Sequence, residues 1–280
     1  MLRGFYTVAS GMLSQQRKTE MLSNNLSNSN TPGYKADRSS MKAFPEMMLS
    51  LQGQKQNIPT QTGLQLPISQ QVGRLNSGVY MQETMPAFLQ GDLQETERLT
   101  DVALVDGTIP VDPETGLSGS VFFTLQGGDG TPRYTRNGNF TLDGQGFLTS
   151  SSGLYVLDQN GQRIQLASDD FKITEEGRVL VDEIESARLG MGFAVNSSRL
   201  IKEGDGLIRA ENDEPLPDAY TSGATFRMQQ GFIERSNVDT ARTMTDMMTA
   251  YRSFEANQKV LQAYDRSLEK AVNEIGRVNG

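Results

Sequence analysis

The sequence predicts an α+β protein in which an N-terminal and a C-terminal helix pair as a coiled-coil layer around an inserted antiparallel all-β domain. Three observations predict it. Asp239 to Ile275 holds no Gly or Pro and repeats its apolar residues at helical spacing. The first 26 residues carry a second apolar stripe of the same kind. Between residues 78 and 234, short runs rich in Val, Leu, Ile, Phe and Tyr alternate with Asp-Gly, Asn-Gly and Glu-Gly turn signals.

Counted in heptads, the C-terminal stripe is Met244, Met247, Tyr251, Phe254, Gln258, Leu261, Asp265, Leu268, Val272 and Ile275. Eight of these ten are apolar, which asks for a partner helix. Gln258 and Asp265 interrupt the seam. The partner is sought at the other end, where Leu2, Phe5, Val8, Ala9, Met12, Leu22 and Leu26 share a face. Four regions follow: 1–35, a helix and an Asn-rich turn; 36–77, an extended arm or connector; 78–235, β; and 236–280, the long helix packing on the first.

The first helix stops in Ser23-Asn24-Asn25-Leu26-Ser27-Asn28-Ser29-Asn30-Thr31-Pro32-Gly33-Tyr34-Lys35. Asn and Ser compete for backbone groups there, Pro32 cannot continue a helix, and Gly33 can take positive φ. Over 37–51 the pattern allows a short second helix or a mixed arm, with Pro45 as a break. Residues 52–75 have little periodicity and read as a connector ordered by a partner. Strands are expected at 101–105, 121–125, 140–142, 147–149, 155–157, 171–174, 179–181 and 191–195. A loop is expected at 204–220 and a last strand at 225–235. Ser236 to Asp239, with Asn237, then caps the long helix.

Composition excludes much chemistry. The 280 residues contain no Cys and no His, so disulfides, thiolate nucleophiles and His-based triads are ruled out. A net charge of −8 argues against nucleic-acid or anionic-membrane binding. No apolar run reaches the ~18–20 residues of a membrane span, and the start lacks the pattern of a cleaved signal peptide. Neither a cofactor, a metal, a catalytic residue nor a small-molecule substrate is expected.

Three stretches carry a resemblance. Asn24-Asn25-Leu26-Ser27-Asn28 through Thr31-Pro32-Gly33-Tyr34-Lys35 is the first, and Tyr134-Thr135-Arg136-Asn137-Gly138-Asn139-Phe140 the second. The third is Gly231 to Asp239, continued by Ala250-Tyr251-Arg252-Ser253-Phe254-Glu255-Ala256-Asn257-Gln258-Lys259-Val260. In this order they resemble the bacterial flagellar hook-basal body proteins, the axial subunits of rod and hook, and a rod protein most of all. The resemblance implies a structural subunit located in the flagellar basal body. Its terminal helices would line a channel, its β domain would face outward, and export would use the flagellar type III apparatus without a cleaved signal. Partners would be further copies and other rod or hook subunits. A departure is Thr108–Ser120, inserted before the Phe122-Phe123 strand. The implied assembly contacts are the two apolar stripes, the turn residues Asn24 to Lys35, Asn237, and Glu255, Asn257 and Lys259 on the long helix.

Other readings compete with this one. Asp143-Gly144-Gln145-Gly146 and Asp158-Gln159-Asn160-Gly161 faintly resemble calcium loops but lack the distal Glu, so hairpin turns are expected. Acid pairs Asp169-Asp170 and Glu175-Glu176 would be the material of a carboxylate-based wall hydrolase, although adjacent acids in a strand face opposite ways. A hook-like subunit and a transient assembly cap are the remaining alternatives.

Overall fold

The computed structural model describes residues 2–57, 65–113, 116, 118–168 and 170–275. Helix α1 spans Leu2–Ser27 and helix α2 spans Thr240–Ile275. The chain divides into two units, one from Met1–Ser23, Ser39–Thr84 and Met244–Gly280, the other from Asn24–Arg38 and Met85–Thr243.

The larger unit is β. Its main sheet has five antiparallel strands in the order Met191–Ala194, Ser120–Gln126, Pro132–Thr135, Leu207–Ala210, Leu200–Lys202. Strand Ser120–Gln126 sends apolar side chains to both of its faces. Val121, Phe123 and Leu125 enter the main core with Leu104, Phe140, Leu148, Val179 and Leu189, while Phe122 enters a smaller one with Tyr134, Leu200 and Ile208. A meander of Phe171–Ile173, Arg178–Val181 and Ile184–Arg188 contributes to the main core. Strand Val102–Asp106 pairs with Phe226–Gln230, and Leu93–Glu95 with Phe232–Glu234.

Strands fall at most of the expected places, and Leu93–Glu95, Pro132–Thr135, Ile184–Arg188 and Leu200–Lys202 are strands that were not expected. The expected loop at 204–220 contains strand Leu207–Ala210, since Ile208 is buried against the second core while Arg209 pairs with Glu203 and Asp213. The last strand is two, broken at Gly231, and each half pairs with a different partner. Residues 155–157 make only isolated bridges.

In the smaller unit, the helix allowed over 37–51 does not form. Met41–Ala43 pairs with Val79–Met81, and Met47–Asn57 with Gln65–Leu75. The expected connector at 52–75 therefore supplies the end of one arm and the whole of the other in an antiparallel ribbon, with 58–64 outside the described residues. Side-chain hydroxyls tie this region to α1. Ser10 Oγ accepts from Val79 N at 3.3 Å, and Ser14 Oγ donates to Val79 O at 3.2 Å. Helices α1 and α2 touch at two glycines. A Cβ at Gly4 would overlap the Tyr264 ring, and one at Gly11 would lie 3.2 Å from the Asn257 side-chain nitrogen. Both pairs are seven residues apart and run in opposite directions, so the helices are antiparallel there.

Candidate assembly junction

Helix α1 ends by satisfying its own carbonyls. Asn28 donates its backbone N–H to Asn24 O, and its side chain donates to the same carbonyl at 2.9 Å. Thr31 and Pro32 then turn the chain, and Gly33 takes φ +69°. Its Cα lies so near the strand end that a Cβ would sit 2.6 Å from the Arg136 carbonyl carbon. Glycine is required here by conformation and by space.

That approach delivers Lys35 into the interior. Its ammonium is 2.6 Å from Glu234 Oε1 and donates to Leu89 O at 2.7 Å. Glu234 Oε2 is 2.6 Å from Arg136 Nε, and Arg136 reaches Asp106 Oδ2 at 2.7 Å and Val121 O at 2.7 Å. Lys35, Arg136 and Glu234 are 4, 2 and 1% exposed. Two cations and two carboxylates thus close an almost dry, neutral cluster in which each charge has a partner. Burial alone would raise the Glu234 carboxyl, but Arg136 and Lys35 outweigh it and hold it below its ordinary range. Lys35 is pushed down, first by burial and then by the Arg136 charge, against the pull of Glu234.

Amide side chains bind the same place together. Asn237 accepts from Ala36 N at 2.7 Å and donates to Ala87 O and Leu89 O. Asn25 donates to Asp37 O and accepts from Asp37 N, both at 2.8 Å, which mimics a strand pairing. Gly33 N donates to Glu234 O at 2.7 Å. Tyr34 donates to Asn24 Oδ1 at 2.8 Å, and burial followed by the Asp37 charge pushes its phenol up to about 12. Lys202 lies over the Tyr34 ring while donating to Lys35 O and Asp37 Oδ1. Beside them opens a polar cleft of about 760 Å³ lined by Asn30, Asn137, Ser151 and the 202–208 turn, among others.

The expected site residues therefore divide. Asn24, Asn25, Asn28, Thr31, Gly33, Tyr34, Lys35 and Asn237 share this junction, with Leu26 and Pro32 half-buried. Leu22 is buried, and Phe5 and Met12 are half-buried on α1. On α2 the seam is displaced. The less exposed positions include Thr243, Met247, Ala250, Phe254, Glu255, Asn257, Leu261, Tyr264, Leu268 and Ala271, whereas Met244, Tyr251, Gln258, Asp265 and Val272 are exposed. The glycines of α1 explain the shift, because close approach favours small residues and one large ring over a uniform apolar seam. Gln258 and Asp265 thus interrupt nothing. Glu255 and Lys259 make no ion pair with each other among the described residues. The side chains of Leu2 and Ile275 lie outside the described residues.

Arg136 and Glu234 lie within two of the three stretches that carry the resemblance but were not named as contacts, and Asp106 and Lys202 were not expected at all. A signal existed in Glu234, a lone acid beside Phe232 and Ile233 in a short strand. The calcium-like loops are turns, since Asp143 Oδ1 accepts from Gln145 and Phe147 amides and Asp158 Oδ1 from Asn160 and Gln162 amides. Asp169 lies outside the described residues, and Glu176 is an exposed partner of Arg178.

A family model for the flagella basal body rod protein matches residues 5–35, one for the flagellar hook protein FlgE/F/G D1 domain matches 116–181, and one for the flagellar basal body rod FlgEFG protein C-terminal region matches 229–274. The flagellar hook-basal body complex protein FlhO of Bacillus subtilis is 40% identical over 279 residues, covering 99% of this chain and 100% of FlhO. The chain belongs to the flagellar basal-body rod and hook family. The basal-body rod proteins FlgG of Borreliella burgdorferi and of B. subtilis are each 31% identical to it, over 98% of this chain and 98% and 99% of their own lengths. Within the family frame the cluster has a simple reading: each matched region supplies one of its innermost charges, Lys35, Arg136 and Glu234 in turn. No helix among the described residues is long and apolar enough to cross a membrane.

Proposed function

We propose that this chain is a structural subunit of the flagellar rod, polymerising helically through its terminal helices to form the axial shaft and its export channel. The observation that carries the reading is the apolar surface left on both helices. Tyr6 and Leu13 on α1 are 65% and 51% exposed, and Met244, Met248, Tyr251 and Val272 on α2 are exposed by 48–72%. Such surface along two helices in a family of axial proteins is what assembly would cover. In the polymer α1 and α2 act as a coiled-coil layer contacting neighbouring copies and other rod or hook subunits. The subunit reaches that place through the flagellar export apparatus without a cleaved signal. End-to-end similarity to the basal-body rod proteins FlgG favours rod over hook.

The test is a strain lacking the gene, with basal bodies imaged by electron microscopy and the parent's basal bodies probed for the protein. Rods that stop before the hook, with the protein present in the parent's rods, are expected. Normal flagella, and no protein in the parent's basal body, would overturn the proposal.

A further inference from the structure

Lys35 lies 199 residues from Glu234 in sequence, and Ala36 lies 201 from Asn237, yet these pairs close at 2.6 and 2.7 Å. From this we infer that the buried charge cluster is a latch: while Lys35 carries its charge, the 31–38 segment after α1 docks only when Glu234 stands between Lys35 and Arg136. This goes beyond the assembly reading, because it is a property of the single chain.

The argument rests on where charges remain when one is removed. Glu234 accepts from Lys35, Arg136 and the Gly91 amide and is 1% exposed, so water cannot replace it. Without its charge, Lys35 and Arg136 face one another in a dry site with Asp106, 21% exposed, as the remaining anion. Arg136 is pinned by Val121 O and Asp106 within the sheet. Lys35 is carried by a short segment, so relief comes from moving Lys35 to water. That movement breaks the bonds from Gly33 N to Glu234 O, from Ala36 N to Asn237 Oδ1 and from Asn237 N to Tyr34 O. It leaves the pairing of Ser120–Gln126 with Pro132–Thr135 intact. The two distant parts of the chain are thereby made conditional on each other, and a chain lacking a competent Glu234 strand leaves the Asn-rich segment undocked.

Hydrogen exchange on the full-length protein tests this, comparing peptides from 31–38 with peptides from 120–135. In Glu234→Gln, exchange at 31–38 should rise on the order of 100-fold or more while 120–135 keeps its protection. Adding Lys35→Met to that variant should restore protection at 31–38 by at least about tenfold, because Arg136 is left paired with Asp106. The latch is overturned if the double variant exchanges as fast as, or faster than, Glu234→Gln, or if both regions lose protection together. Should Glu234→Gln fail to fold, the double variant still decides: a folded, protected protein supports the latch and an unfolded one refutes it.

Discussion

The β unit and the helical unit differ in what they leave unfinished. In the β unit, Phe122, Phe123, Phe140 and Leu148 are almost wholly buried, and Lys35, Arg136 and Glu234 are paired with one another. In the helical unit, large apolar side chains of both helices stand in solvent, and α2 is least exposed there at Ala250, which buries little area. A region whose apolar core is closed within one chain can fold as a monomer. A region that still exposes Met244, Met248 and Tyr251 gains most of its stability on meeting another surface. Stability should therefore be lost by mutation in the first region, and assembly by mutation in the second.

The largest stability effect is expected at the core. Phe123→Ala removes a ring in edge-to-face contact with Phe140 at 5.1 Å and should cost about 4 kcal/mol in chemical denaturation. Glu234→Gln should cost about 3 kcal/mol by the same measurement, because it strands buried cations. Gly33→Ala should cost about 2 kcal/mol or more, since it combines positive φ with a backbone collision at Arg136. An effect of only a few tenths there would mean that the turn yields and the junction is not tightly fitted.

Acid sharpens the same contrast. The Glu234 carboxyl lies below its ordinary value of 4.5 in the folded protein. Its contribution is therefore full above that value and is lost as pH falls through the lower folded-state value. Unfolding monitored below pH 4.5 should depend on pH more steeply in the wild type than in Glu234→Gln. Equal slopes would show that other carboxyls control acid unfolding.

The two regions were not equally legible. Most β elements could be read because alternation and Asx-Gly turns are local signals, and both long helices because nothing interrupts them. The α2 seam was read one residue off at Met244, Tyr251 and Val272, since hydrophobicity names the apolar side chains but not which glycines let a partner approach. Of the junction, Asn24 to Lys35 and Asn237 were visible as an unusual string. Arg136 stood in a quoted motif, but its pairing, and the partners Asp106 and Lys202, were not visible, because pairing across a hundred residues leaves no periodic trace. The 207–210 strand was hidden by turn-rich neighbours.

The smallest effect on the monomer, and the most direct test, is expected on the outer face of α2. The triple variant Met244→Ser, Met248→Ser, Tyr251→Ser should be compared with the wild type as a purified monomer and as the sole copy in cells. Its stability should stay within about 0.5 kcal/mol of wild type, as for exposed positions, while the protein is missing from isolated basal bodies and the cells do not swim. Normal incorporation and swimming would contradict the account, because the exposed helix face would then not be what assembles.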